Sequence, residues 1–246
     1  MATVTAREAE GAAARVAALD WPAIEATLDR SGVAVLGTLL DPEACRRTAS
    51  LYDDAEGGRF RSRVVMARHG YGQGEYKYFA APLPPLVASL RAALYGRLAP
   101  VANRWSEAMG AAARYPDGHD AFLARCHAAG QSKPTPLLLR YGAGDYNCLH
   151  QDLYGEHAFP LQVVVLLSAP GDEFEGGELV LTEQRPRMQS RAEVVQLRQG
   201  EAAAFAVNQR PVQGSRGAYR VTMRHGVSRV RRGDRRTLGL IFHDAA

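Results

Sequence analysis

The chain lacks several features that mark large classes of protein. It has only three cysteines, Cys45, Cys126 and Cys148, and they form no CxxC pair. We therefore expect neither a disulfide scaffold nor a cysteine-rich zinc site, and we expect a reducing, cytoplasmic setting. No run of about 18 apolar residues occurs, so the sequence predicts no membrane-spanning helix. The Ala-rich start is interrupted by charges and lacks the apolar core of a signal peptide.

Lysine is also scarce, because Lys77 and Lys133 are the only two among 30 basic residues and the rest are arginine. The 246 residues are 46% hydrophobic and 23% charged, which is typical of a globular protein and excludes a disordered or fibrous chain. The net charge of +4 fits two interpretations. One is a general bias toward arginine, and the other is a basic surface for nucleic acid or an acidic partner.

The pattern of apolar residues changes near residue 136. Before it, helical spacing dominates, and Asp41-Pro42-Glu43 predicts a capped helix start. After it, short apolar runs separated by Gly, Pro and Asp predict seven or eight strands of a sandwich or barrel. We predict one α+β domain over 1–246 with a mainly β core, in which helices of residues 1–135 support a barrel formed by 136–243. The predicted strands are 137–141, 161–167, 178–181, 194–197, 202–207, 220–225 and 237–242.

The sharpest local motif is His150-Gln151-Asp152. Residues i and i+2 of a strand share a face, so His150 and Asp152 are predicted to point together into the barrel. Two histidines and one carboxylate form the facial triad of non-haem Fe(II) oxygenases, which leaves three metal positions open. The second histidine must come from a distant segment, and His225, at the end of a predicted strand, suits this role. The other histidines left open are His69, His119, His127, His157 and His243.

Arg235 follows His225 by ten residues, at the start of the next apolar run. An arginine inside a barrel needs an anionic partner, because burying an unpaired charge is costly. A dicarboxylate that chelates the metal at one end would supply this partner at the other, and the guanidinium fork matches a carboxylate. Strand alternation points the neighbouring Arg236 to the opposite face.

Taken together, these segments resemble the Fe(II)/2-oxoglutarate-dependent dioxygenases, specifically the prolyl-4-hydroxylase-like branch. The resemblance extends over 136–243, and the segments 31–35 and 39–43 also resemble the start of that family's domain. It implies a double-stranded β-helix, a jelly-roll or cupin-like barrel. The residues that carry it are 140–146 with His150-Gln151-Asp152, then 174–179, His225 and 233–235.

The resemblance also implies roles for single residues. His150, Asp152 and His225 would bind Fe(II), Arg235 would bind the distal carboxylate of 2-oxoglutarate, and Tyr141 would line the co-substrate pocket. It further implies O2 as the second co-substrate, ascorbate as a reductant, and release of succinate and CO2. Related halogenases carry a small residue at the position of Asp152, so the aspartate favours hydroxylation or oxidative demethylation over halogenation.

By the same resemblance we expect hydroxylation of an unactivated C–H bond, with a protein or peptide side chain as the favoured substrate. Two alternatives stay open. One is the same chemistry on nucleic acid, by oxidative demethylation, or on a small metabolite. The other is a cupin-like metal-binding protein without turnover, against which Arg235 argues. The oligomeric state is not indicated. Predicted rims of the pocket are 59–63, 68–78, 184–187 and 209–217, with Tyr154 and His157.

Overall fold

The computed structural model describes residues 6–53, 58–215 and 217–246, which contain two large antiparallel sheets and several helices. The strands in chain order are β1 (Val33–Thr38), β2 (Phe60–Val65), β3 (Gly72–Gln73), β4 (Glu75–Phe79), β5 (Leu137–Tyr141), β6 (Tyr146–His150), β7 (Leu161–Leu166), β8 (Phe174–Gly176), β9 (Leu179–Gln184), β10 (Arg191–Val195), β11 (Glu201–Ala206), β12 (Gln209–Gly214), β13 (Gly217–Val227), β14 (Val230–Gly233) and β15 (Arg235–Leu240).

The larger sheet has seven strands in the order β1-β11-β7-β15-β5-β4-β2. The second sheet has the order β10-β9-β13-β6-β3 with β12 paired to β13, and β14 pairs with β8. The predicted mainly β core is therefore present. Residues before 136 contribute β1, β2 and β4 to the larger sheet, so this part of the chain supplies strands as well as helices.

Five α-helices lie in the described residues. Asp41 caps α3 as predicted, because its carboxylate accepts a hydrogen bond from the Ala44 amide at 2.8 Å and Pro42 occupies the first turn. None of these helices combines the length and hydropathy that a membrane crossing requires, over the residues that the structure describes. The helices are α1 (Ala6–Ala17), α2 (Trp21–Ser31), α3 (Pro42–Ser50), α4 (Pro85–Ala108) and α5 (His119–Ala128).

Strand β7 lies at the centre of the larger sheet, between β11 and β15. All six of its residues are buried. Such a strand reads as a continuous apolar run because both of its faces are covered. Gln162 is the one polar side chain in it, and its Oε1 has no hydrogen-bond partner among the described residues.

A buried ion pair joins α4 to the C-terminal segment. The Arg91 guanidinium donates to Asp244 at 2.8 Å and to the Ile241 carbonyl at 2.8 Å. Two buried histidines, His119 and His243, lie in the same region. His119 Nε2 donates to the Phe242 carbonyl at 2.8 Å, and His243 Nδ1 accepts from the Phe159 amide at 3.1 Å. Both contacts are made by neutral imidazoles.

Protonation of these two histidines is unfavourable in the folded state. Burial, followed by the nearby charge of Arg91, lowers the pKa of His119 and of His243 to about 4 from 6.5. Above pH 6.5 both histidines are neutral in the folded and the unfolded chain, so they make the free energy of unfolding neither rise nor fall with pH. Below pH 6.5 the two histidines become protonated in the unfolded chain but stay neutral in the folded chain. The free energy of unfolding therefore falls until the pH reaches about 4, where the folded chain binds the protons too.

We expect acidification to destabilise the protein through these two side chains. The free energy of unfolding should fall between about pH 6.5 and 4, with each histidine removing up to about 3 kcal/mol. His119→Gln and His243→Asn keep one hydrogen bond each and cannot titrate, so they should flatten this dependence. Urea unfolding at several pH values measures it, with the exposed His69→Gln as the matched control. An unchanged slope in the double variant would contradict the assignment.

Candidate functional site

A cavity of about 240 Å³ lies between the two sheets. Residues of β5, β7 and β15 face it at every second position, which is the alternation expected of neighbouring strands. Strands β6, β9, β11 and β13 close it from other sides. Strands β5, β7 and β15 line the cavity with Leu137, Leu139, Tyr141, Gln162, Val164, Arg235, Thr237 and Gly239.

All three predicted metal ligands, His150, Asp152 and His225, lie together in this cavity. His150 on β6 and His225 on β13 are direct cross-strand partners, and their ring centroids are 4.2 Å apart. Asp152 Oδ1 lies 3.4 Å from His150 Nε2, and Asp152 Oδ2 lies 3.3 Å from His225 Nε2. One ligand atom from each residue lies within 4.8 Å of the others, so the group could hold a metal ion.

The prediction that His150 and Asp152 lie on one face of a single strand was wrong. Strand β6 ends at His150, and Asp152 lies in the irregular segment that follows. The two residues therefore do not share a face of one strand. Asp152 turns back toward the histidines and is held there by contacts with other parts of the chain. The remaining histidines, His69, His119, His127, His157 and His243, are outside the group.

Hydrogen bonds orient the ligand atoms. His150 Nδ1 donates to the Cys148 carbonyl at 2.8 Å, which leaves Nε2 as the ring nitrogen on the side of Asp152. Burial disfavours the carboxylate of Asp152, but hydrogen bonds and charges from both histidines outweigh it and hold the pKa of Asp152 well below its usual range. Burial lowers the pKa of His225. These groups suit a metal because the carboxylate is ionised and an imidazole nitrogen is neutral.

Arg235 and Tyr141 lie side by side in the same cavity. They are partners in the β15–β5 register, and the guanidinium carbon lies 5.6 Å from the Tyr141 ring centroid. Arg235 is 3% exposed, and its Nε and one terminal nitrogen, Nη1, have no hydrogen-bond partner among the described residues. Burial lowers its pKa to about 10, so it stays a cation at neutral pH. Within the residues that the structure describes, the site therefore contains a buried cation with no ion-pair partner.

Arg236 occupies the opposite face of β15, as alternation predicts. Its guanidinium donates to Asp53 at 2.6 Å and to Asp234 at 3.3 Å, so its charge is already neutralised. A larger cavity of about 870 Å³ lies on another side of Arg235 and Leu179, along the turn 175–178. It is not lined by His150, Asp152 or His225.

Four tyrosines form one wall of the cavity: Tyr71, Tyr76, Tyr78 and Tyr154. The Tyr154 hydroxyl donates to Asp152 Oδ1 at 2.7 Å, and burial raises the pKa of this phenol, which keeps its proton. Tyr71 is half exposed and stacks on His69 with ring centroids 5.3 Å apart. The guanidinium carbon of Arg61 lies 4.4 Å from the Tyr78 ring centroid.

The predicted rims are only partly represented. Segment 68–78 and Tyr154 contribute side chains to the lining, and Arg61 from 59–63 packs behind Tyr78. Segments 184–187 and 209–217, in their described residues, and His157 do not line this cavity.

Three polar lining residues escaped the sequence analysis: Gln162, Asn147 and Thr237. Asn147 donates to the Tyr141 hydroxyl at 3.4 Å, and Gln162 Oε1 has no partner among the described residues. A polar residue inside an otherwise apolar buried strand was a usable signal for Gln162, because a buried polar group needs a partner. Thr237 carried the same signal in its strand.

Comparison with known proteins gives matches at the level of sequence. A family model described as "Oxygenase, catalysing oxidative methylation of damaged DNA" matches residues 74–245. Uncharacterized proteins from two strains of Mycobacterium tuberculosis, CDC 1551 / Oshkosh and ATCC 25618 / H37Rv, are each 46% identical to this chain over 211 residues. The alignments cover 81% of this chain and 91% of each relative.

Solved structures share the fold at low identity. A prolyl-4-hydroxylase from Pseudomonas putida superposes with a TM-score of 0.53 and 14% identity, over 92% of this chain and 99% of that chain. An oxidoreductase of the 2OG-Fe(II) oxygenase family from Burkholderia pseudomallei gives a TM-score of 0.53 and 17% identity, over 92% of each chain. The predicted double-stranded β-helix is confirmed by these likenesses and by the antiparallel sheets.

Proposed function

The chain belongs to the oxygenase family whose model matches residues 74–245, within the 2-oxoglutarate- and Fe(II)-dependent enzymes, and we propose on this basis that it oxidises a C–H bond on a nucleobase. The observation that carries the oxygenase chemistry is the arrangement of one cavity. Three residues that could hold a metal, His150, Asp152 and His225, line this cavity. Arg235, whose Nε and Nη1 have no partner among the described residues, lines it as well. The cupin-like alternative without turnover gives Arg235 no partner and is not favoured.

The residues that line the cavity fit both Fe(II) and 2-oxoglutarate. Two imidazoles and one carboxylate are a ligand set for Fe(II). Nε and Nη1 of Arg235 have no hydrogen-bond partner among the described residues, and a guanidinium is the cation whose planar fork matches a carboxylate. Without an anion its burial would be costly. The distal carboxylate of 2-oxoglutarate is the partner we assign to it, with Tyr141 packed beside it.

When bound, iron and 2-oxoglutarate supply the oxidation of a C–H bond by O2, with release of succinate and CO2. The chain's own contribution is geometric. The Cys148 carbonyl orients the imidazole of His150, and Arg235 would hold the distal carboxylate of 2-oxoglutarate. Apolar side chains such as Leu139 and Val164 keep water away from the cavity. No protein nucleophile is required. The need for ascorbate and a cytoplasmic location stay predictions.

Two observations support a nucleobase as substrate. The matching family model describes action on damaged DNA, whereas the prolyl hydroxylases are similar in fold at 14% identity. The tyrosine wall also offers flat faces on which a base can stack, and base–aromatic stacking contributes about 1–3 kcal/mol per base. Arg61 lies beside this wall, and Arg68 is exposed close to Tyr71 in sequence. Cations beside stacking rings suit a phosphate backbone.

We expect His225→Ala to abolish the iron and co-substrate complex. Anaerobic addition of Fe(II) and 2-oxoglutarate should give a weak visible charge-transfer band in the wild type and none in the variant, because one of three ligands is lost. His157→Ala is the matched control and should keep the band. A band of full intensity in His225→Ala would remove this residue from the ligand set.

Substitution of Arg235 should act on the co-substrate and spare the metal. Arg235→Gln removes the charge that pairs with a carboxylate, so the 2-oxoglutarate concentration needed for half-saturation should rise about 10-fold or more. Iron affinity, measured without 2-oxoglutarate, should change little. Arg236→Gln is the control, because its charge pairs with Asp53 and Asp234. The opposite result, with Arg236→Gln impaired and Arg235→Gln normal, would contradict the assignment.

The substrate class is tested by turnover. Succinate release should be stimulated by single-stranded oligonucleotides that carry methylated bases, with a matching mass change in the oligonucleotide. Unmodified oligonucleotides and proline-containing peptides serve as comparisons, and His225→Ala serves as the blank. Stimulation by peptide alone would overturn the nucleobase and leave the oxygenase chemistry intact.

A further inference from the structure

The carboxylate of Asp152 has two oxygens in different surroundings. Oδ1 accepts a hydrogen bond from the Tyr154 hydroxyl at 2.7 Å and lies 3.4 Å from His150 Nε2, whereas Oδ2 faces His225 Nε2 at 3.3 Å. We propose that Tyr154 is a positioning residue, which occupies Oδ1 and leaves Oδ2 as the single oxygen that Asp152 offers to a metal. This inference rests on the ligand set of the proposed function.

The number of oxygens that Asp152 supplies affects the whole site. The terminal torsion of an aspartate is broad, so an unrestrained carboxylate can rotate and bind a metal through one oxygen or two. A facial triad leaves three positions open, and a second carboxylate oxygen would take one of them. A hydrogen bond to an ionised acceptor is short and about twice as strong as a neutral one. The phenol therefore keeps a position free for the co-substrates.

Tyr154 is itself held in place by a buried amide. The Gln131 side chain is 1% exposed, and its nitrogen donates to the carbonyls of Tyr154 at 3.1 Å, His157 at 3.2 Å and Asp244 at 2.7 Å. Its oxygen accepts from the His157 amide at 2.7 Å. These four bonds join the turn that carries Tyr154 to the C-terminal segment.

The close packing of this turn requires a glycine after Tyr154. Gly155 has a φ of +81°, and a Cβ there would lie 2.4 Å from Cδ of Gln131. Any other residue at 155 would push Gln131 or the turn aside. The backbone at Tyr154 and Gly155 is therefore packed against the Gln131 side chain, which holds the turn that carries the Tyr154 hydroxyl to Asp152.

Cobalt(II) titration of the purified protein without co-substrate tests the role of Tyr154. Tyr154→Phe keeps the ring and removes only the hydroxyl, so its dissociation constant for Co(II) should rise about 10-fold, the lower range for loss of an outer hydrogen bond to a ligand. Its visible d–d spectrum should also change, because the carboxylate can then bind through both oxygens. Tyr219→Phe removes a phenol hydroxyl on β13 outside this cavity and should keep the wild-type affinity and spectrum.

A second measurement does not depend on the variant. A crystal structure of the wild type with Co(II) should show Oδ2 of Asp152 on the metal and Oδ1 on the Tyr154 hydroxyl. Coordination by both oxygens, or by Oδ1 alone, would overturn the inference, as would a Tyr154→Phe titration identical to the wild type. A wild type that binds no Co(II) would overturn the ligand set of the proposed function, and the inference with it.

Discussion

The site is built around a buried cation that the described residues do not neutralise. Arg235 is almost fully enclosed, and two of its nitrogens lack partners in the described structure. The surroundings make room for it. At Gly177, which has a φ of +65°, a Cβ would lie 2.7 Å from Cδ of Arg235. Tyr141 packs along the guanidinium from the neighbouring strand. Burial of such a charge is costly, so an anion bound in the cavity would stabilise it, which is the basis of the role proposed for Arg235.

The metal group depends on a second constraint, the register of β6 against β13. His150 and His225 are 75 residues apart and meet because they are direct cross-strand partners. A shift of one residue would send one ring to the other face of its sheet. Asp152 completes the group from outside the strand, and the turn that follows it is fixed by Gln131. The two halves of the group are thus held by different kinds of contact, a sheet register and a buried amide network.

Much of the site was predictable because its residues carry unusual chemistry at regular spacing. The HxD motif supplies the donor atoms, and the choice of Arg235 over Arg236 follows from alternation and from the cost of burying charge. The position of Asp152 was predicted for the wrong reason, because an end-of-strand boundary is set by pairing partners that the local sequence does not specify. Gln162 and Thr237 were visible as polar residues in apolar strands, yet their common cavity was not.

The sequence by itself determined the type of core, the donor atoms for a metal and the need for an anion, since these depend on residue type and short-range periodicity. The tertiary structure alone decided that Asp152 joins the histidines from beyond the end of β6, that Gln162 and Thr237 line the same cavity, and that the Tyr154 hydroxyl reaches the carboxylate of Asp152. Those outcomes depend on strand register and on packing between segments far apart in the chain. Such long-range contacts are set by the whole fold and have no local signature.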